Sequence, residues 1–339
     1  MAGGKTGAGE EERPEAAVPS RRALVVVFAA ALAVRLLYLC FLSQSPLFDS
    51  PTMDPAIHDD WAYGLAGRGP GPSDAAYLRA PLYPYFLSLF YRLFDRSFST
   101  YVLMRIGQHL LGAVSCALIY LLALRLHGRR EAMVASAIAI LYWPFVYFEG
   151  ELLIPALLIP LILAGFVVVL AALRKGEPLL FFAGGVFFGL AAITRPNILL
   201  YFPILAVYVF ARRAGVLNRN AGLRDSGLLA LGIMGCILPV TVRNYVVGDD
   251  LVLISSQAGV NFYIGNNELS DAKTAVVPGT RATWWGGYLD TVRIAERNAG
   301  RTLRPSEVSQ YWFRKGLRFL ADHPGKAAKL YVKKARYLL

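Results

Sequence analysis

The chain has 339 residues, of which 56% are hydrophobic and only 17% charged. A globular domain carries about 25% charged residues, so at a mean hydropathy of +0.45 too little polar surface is left for a water-exposed body; disorder, collagen and a disulfide scaffold are excluded by the same composition. The 35 Lys+Arg against 23 Asp+Glu give a formal charge of +12, which beside long apolar runs points to membrane lipid, not nucleic acid, as the partner.

Residues 1–20, rich in Gly, Glu and Pro, read as a disordered cytoplasmic tail. A bilayer-spanning helix needs about 20 mostly apolar residues to cross roughly 30 Å of hydrocarbon with every backbone polar group satisfied internally. Seven runs of this kind follow, near 23–43, 101–124, 132–148, 151–173, 179–195, 197–211 and 227–246, the fifth and sixth being short. The first is too long for a signal-peptide core and lacks a small-x-small cleavage site, and Leu39 before Cys40 spoils a lipoprotein box. The other cysteines, Cys116 and Cys236, are also in apolar runs and imply no disulfide framework. No internal repeat is visible.

Basic residues mark alternate ends of these runs. Lys5, Arg13, Arg21 and Arg22 precede the first, Arg125, Arg129 and Arg130 follow the second, and Arg174 and Lys175 follow the fourth. Arg212, Arg213, Arg219 and Arg224 separate the sixth from the seventh. The positive-inside rule makes these four segments cytoplasmic. The loop 44–100, the turns at 149–150 and 195–197, and the segment after about 247 are then external. The expected architecture is an all-α polytopic membrane protein: a transmembrane module over 21–246 and an external segment over 247–339.

A loop as long as 44–100 needs helices of its own. One is expected from Asp54-Pro55, a capping residue followed by proline, through Trp61 and Leu65 to the Gly67-Arg68-Gly69-Pro70-Gly71 breaker. Another starts around Pro81 and carries Tyr83, Tyr85, Phe86, Leu89, Phe90 and Tyr91, aromatics suited to a membrane interface. Asp54 reads either as the helix cap or as a general base, since a partly shielded carboxylate can take a proton from a hydroxyl. Asp59 and Asp60 read most simply as solvated charges. His58, four residues past Asp54, is a weak metal candidate, and no metal or other cofactor is expected.

Further on, Glu149 and Glu151 flank Gly150 between two apolar runs, where acids are costly and tend to mark sites. Arg79, Arg195 and Arg243 sit at external ends of the expected helices and read either as phosphate ligands, through the bidentate guanidinium fork, or as side chains snorkelling to the interface. Arg35, Arg105 and His109 lie in or near spans and are expected to pair inside the bundle. Leu251-Val252-Leu253-Ile254 and Asn261-Phe262-Tyr263-Ile264 read as short β-prone segments. Residues 305–321 read as an amphipathic helix, and Trp284-Trp285 as a membrane anchor or a sugar-stacking pair.

The chain resembles the glycosyltransferase family 39 enzymes of the GT-C fold, which include protein O-mannosyltransferases and the bacterial aminoarabinose transferase. The likeness is carried by Met53-Asp54-Pro55-Ala56-Ile57-His58-Asp59-Asp60-Trp61-Ala62, Arg79-Ala80-Pro81-Leu82-Tyr83-Pro84-Tyr85, Tyr147-Phe148-Glu149-Gly150-Glu151-Leu152-Leu153, Thr194-Arg195-Pro196-Asn197 and Gly259-Val260-Asn261-Phe262-Tyr263-Ile264-Gly265-Asn266-Asn267. It implies sugar transfer from a polyprenyl-phosphate donor to a glycan, lipid or protein hydroxyl on the external face, in a bacterial inner membrane. The family's first-loop aspartate falls on Asp54, and its second acid on Glu149 or Glu151, with Glu149 the better placed. Arg79, Arg243, Arg195, Tyr83, Glu151 and Asp60 are the expected substrate and lipid-phosphate contacts. His58 stands where such proteins often carry Tyr, and family members usually continue with further spans beyond the position of Leu339. A lipid or sugar-lipid transporter and a non-catalytic assembly subunit are the rival readings.

Overall fold

The computed structural model describes residues 19–70 and 74–338, and every regular element among them is helical. The expected tail therefore lies, up to residue 18, outside the described residues, as does Gly71 of the breaker. In chain order, α1 (Arg21–Leu42) is followed by the two loop helices α2 (Met53–Leu65) and α3 (Leu82–Leu93), and then by α4 (Phe98–Leu126). Next come α5 (Arg129–Leu141), α6 (Trp143–Gly150), α7 (Pro155–Lys175) and α8 (Pro178–Thr194). A 3-10 turn (Pro196–Tyr201) leads into α9 (Phe202–Val216) and α10 (Arg219–Gly248). The remaining helices are α11 (Ala258–Gly265), α12 (Trp284–Ala299), α13 (Pro305–Asp322) and α14 (Pro324–Leu338).

All seven apolar runs are helical. α1, α4, α7, the 196–216 stretch and α10 are each long and apolar enough to cross a membrane. The third run is broken: α5 and α6 meet at a 47° bend around Tyr142. Pro144 lacks the N–H that would continue the ladder, and its ring crowds the preceding turn. α8 has 17 residues, about 26 Å at 1.5 Å per residue, a little short of the hydrocarbon core. Its glycines compensate by letting it sit deep between α7 and α10. A Cβ at Gly185 would collide with the Leu229 carbonyl, and one at Gly232 of α10 with that of Phe182. Close backbone approach through small residues is how helices associate in lipid, where burial of apolar surface gives little drive.

Local signals explain the helix ends. Ser97 and Asn218 cap α4 and α10 by accepting from the N–H groups of Thr100 and Ala221, at 3.3 and 2.9 Å, and Gly176 closes α7 at φ +75°, a conformation that costs glycine nothing. α2 departs from expectation. It is preceded by Thr52 and opens on Met53 at φ +57°, so Asp54 lies within the first turn and does not cap the helix.

Three apolar clusters build the bundle. One joins α7 to α10 and takes in Ala80 and Ile254 at one end; one joins α1 and α4 to α2 and α3; one joins α1, α4 and α5. The basic ends converge: Arg174 donates to the Arg125 carbonyl, Arg213 to the Gly176 carbonyl, and Arg213 and Arg224 both pair with the buried Asp225. At the opposite end lies the segment after α10. Asn244 accepts from the Tyr77 N–H at 2.9 Å and donates to the Val252 and Ile254 carbonyls at 3.0 and 3.1 Å.

The β-prone readings do not hold. Residues 251–254 form no strand, because Asn244 takes carbonyls that a ladder would use. Residues 261–264 are part of α11, which packs closely on α13 through Gly259 against Ser309; a four-residue apolar run does not by itself distinguish the two conformations. The amphipathic reading of 305–321 is matched by α13.

Candidate active site

α2 and the stretch leading into α3 bring Asp54 and Arg79 together. The Arg79 Nη2 lies 3.0 Å from Asp54 Oδ1, with the Arg79 side chain 13% and the Asp54 side chain 54% exposed. The guanidinium is thus largely buried while the carboxylate faces outward. Arg79 owes its place to its neighbours, since Ala80 and Leu82 pack into the α7–α10 cluster. Arg243, near the end of α10, reaches the same stretch: it donates to the Ala75 carbonyl at 2.6 Å, and its guanidinium stands 4.1 Å over the Tyr77 ring. Tyr77 is bonded hydroxyl to hydroxyl with Tyr85 at 2.9 Å and meets Trp61 at 5.6 Å. Two cations, one carboxylate and three aromatic side chains therefore gather at one end of the bundle.

His58 lies beneath this group. It is buried, its Nδ1 has no hydrogen-bond partner, and its ring meets Tyr83 edge-on at 5.1 Å. Burial above all, with help from Arg79 and against the pull of Asp54, pushes its pKa down to about 4, so the imidazole is neutral at neutral pH. No group of three His, Cys, Asp or Glu side chains converges among the described residues to hold a metal ion.

The adjacent acids part company. Asp60 is solvated as expected and pairs with Arg96 at 2.9 Å, on the side of α2 away from Arg79. Asp59 is not solvated: it is buried, accepts from the hydroxyls of Tyr91 and Tyr101, and pairs with Arg96 at 2.9 Å. Burial raises its pKa, while the two tyrosines and Arg96 act the other way. This cluster fastens α2 to α3 and α4.

Glu149 also differs from expectation. It belongs to the last turn of α6, and its carboxylate points into the bundle, where Arg35 grips both oxygens, one of them at 3.0 Å from Nη2. The space it occupies exists because residue 112 is glycine; a Cβ there would overlap the carboxylate. His109 Nδ1 stands 3.8 Å away. Arg35 and His109 are thus at the buried pair expected of them. Arg105 instead donates to the Gly150 carbonyl at 2.8 Å and stacks over Phe48 at 4.0 Å. Gln108 binds the carbonyls of both Glu149 and Glu151, at 2.8 and 2.9 Å, and accepts from the fully buried Tyr83 hydroxyl. Glu151 is half-buried, and its charge is among those that raise the Tyr83 pKa, after burial. Tyr83 is therefore a strut between α3 and the α6–α7 turn.

Arg195 closes α8 with its side chain exposed, on the end of the bundle where Ile193 and Ala80 share a core. Below it opens a feature for which the sequence carries no signal, an apolar groove of about 520 Å³ lined by Ile162, Phe166, Phe188, Ile198, Phe202 and Ile233 among others. It arises because α9 leans on α10 and stands away from α7, a matter of tertiary spacing that no periodicity encodes.

No curated protein and no solved structure matches the chain. Residues 78–241 match the family model described as dolichyl-phosphate-mannose-protein mannosyltransferase. The matched stretch holds Arg79, Tyr83, Glu149, Glu151 and Arg195, and leaves Asp54, His58 and Arg243 outside. Over that stretch, just under half of its length, the chain is similar to this family of membrane glycosyltransferases, in agreement with the resemblance of its motifs.

Proposed function

We propose that the protein transfers a sugar from a polyprenyl-phosphate donor to a hydroxyl acceptor at the Asp54 end of the bundle, on the external face; the basic residues gathered at the opposite end support that orientation. The observation that carries this reading is the meeting of Asp54, Arg79 and Arg243 on one rim. The acceptor hydroxyl gives its proton to Asp54 as its oxygen attacks the anomeric carbon. The bond from that carbon to the phosphate oxygen breaks from the opposite side, and the electron pair leaves with the lipid phosphate, inverting the centre. Arg79 and Arg243 stabilise the departing charge as preorganised cations.

Of the two acids at the α6–α7 turn, Glu151 is the better second acid, because Arg35 already neutralises Glu149 within the bundle. Arg195 lies a few residues before Ile198 and Leu199 of the groove lining, so it is the cation we assign to the phosphate of a lipid whose chain lies between α7 and α9. The Asp54→Asn variant should insert normally and still bind donor while transfer falls by about 10²- to 10⁴-fold, the usual contribution of a general base. Full activity in that variant removes Asp54 from the chemistry. The apolar groove also suits a lipid transporter. Movement of polyprenyl-phosphate lipid across liposomes without cleavage of the sugar bond is the result that favours transport over transfer.

A further inference from the structure

α14 carries five cations, Lys326, Lys329, Lys333, Lys334 and Arg336, and no acid. At 100° per residue they divide sharply. Ala327 and Leu330 are buried against α13, Tyr331 donates to Asn266 at 3.1 Å, and Lys334 donates to the Gly265 carbonyl, so these four residues form the inner face. Lys326, Lys329, Val332, Lys333, Arg336 and Tyr337 form the outer face, and all six are exposed. Among the described residues no carboxylate lies within ion-pair distance of the four outer cations. They extend along about 15 Å of helix.

The segment that ends in α14 is tied to the Asp54 end of the bundle: the N–H groups of Ser256 and Gln257 donate to the Tyr77 and Leu78 carbonyls at 3.0 and 3.2 Å, and α11, α13 and α14 pack in succession from there. The positive-inside rule, which counts short loops and the flanks of spans, does not account for a stripe this far beyond α10. A basic helix face flanked by Val332 and by Tyr337, itself 49% exposed, has the composition of a helix that lies on a charged lipid surface without spanning it.

We propose that the outer face of α14 docks onto the anionic phospholipid headgroups of the leaflet on the Asp54 side, and so holds the segment after α10 down over the site. The proposal does not depend on the transferase reading; it rests on α14 being at that end of the bundle. Each cation near such a surface strengthens attraction roughly five-fold, so the four together amount to a factor of several hundred at most, weakened by salt.

The test is hydrogen–deuterium exchange of the full chain in nanodiscs of phosphatidylcholine alone and of phosphatidylcholine mixed with phosphatidylglycerol. Peptides from 324–338 should exchange at least roughly ten-fold more slowly in the anionic discs, and the difference should vanish at high salt and in the Lys329→Glu/Lys333→Glu variant. Should that variant fold poorly, Lys329→Gln/Lys333→Gln must shrink the difference while peptides from α13 exchange as in the wild type. Equal exchange in the two lipids overturns the proposal. So does protection that appears only on adding a soluble polyanionic polysaccharide, which would assign the stripe to an anionic glycan.

Discussion

Removing either partner of the Arg35–Glu149 pair should destabilise the bundle far more than removing both. The two side chains are 0% and 4% exposed, and the guanidinium is bonded to both carboxylate oxygens and to the Ala31 carbonyl at 3.2 Å. Arg35→Leu leaves the carboxylate with only the His109 imidazole, at 3.8 Å, and Glu149→Leu strands a guanidinium, both out of reach of water. Breaking such a pair costs about 3–5 kcal/mol, and even the lower figure cuts the folded-to-unfolded ratio by more than about a hundred-fold. Independent losses would sum to roughly 6–10 kcal/mol in the double variant, whereas replacement of both charges by leucine is often close to neutral. Denaturant titration in lipid–detergent bicelles, read by circular dichroism, supplies all four corners of the cycle. Single variants within about 1 kcal/mol of wild type, or an additive double variant, would refute the reasoning. The same double variant separates two roles for Glu149: a folded protein that still transfers sugar leaves Glu149 structural, and a folded but inactive one makes it catalytic.

His58 should give the protein a pH-dependent stability. Its pKa is about 4 when folded against 6.5 when free, so the unfolded chain takes up the proton first. Stability present above pH 6.5 is lost as the pH falls toward 4, by about 3 kcal/mol in all, and melting curves of His58→Phe should lack that slope. The neighbouring acids should differ: Asp59→Ala should lower stability by about 2 kcal/mol or more, since the hydroxyls of Tyr91 and Tyr101 lose their acceptor and Arg96 keeps only Asp60, while Asp60→Ala stays within about 0.5 kcal/mol. Thermal melts of the two variants side by side decide this. Gly232→Val should expel α8 from its seat on α10 and abolish a monodisperse, folded preparation by size exclusion, because a side chain there meets the Phe182 carbonyl; an unchanged melting curve would contradict the packing.

Much of this was legible in the chain itself. Twenty-residue apolar runs are unambiguous, and the start read at Pro81 and the amphipathic pattern over 305–321 place α3 and α13 closely. The fate of individual charges was less so. Asp59 and Asp60 are neighbours 100° apart on one helix, and which of them turns inward is decided by Tyr91, Tyr101 and Arg96, more than thirty residues away. Glu149 looks like a turn acid until Arg35, 114 positions earlier, and the absent side chain at Gly112 are seen to make its seat. Helix α11 escaped because a short apolar run fits either conformation, and its partner, Ser309, is distant in sequence. The pairing of Asp54 with Arg79 joins two separate motifs that the sequence shows only as near neighbours in one loop.

The hydrogen bond from the Tyr77 N–H to Asn244 has a further meaning beside the extent of the family match, residues 78–241. One partner lies just before that stretch and the other just after it, so the shared module is closed upon itself, its two ends buttoned by Asn244 with Arg243 beside it. Of what flanks it, α1 is packed along α4 and α5 and held by the Arg35–Glu149 pair, whereas the segment that carries α11 to α14 is anchored beside that button. Exchange of α11 to α14, which pack on one another, would therefore leave the packing of the bundle helices in place.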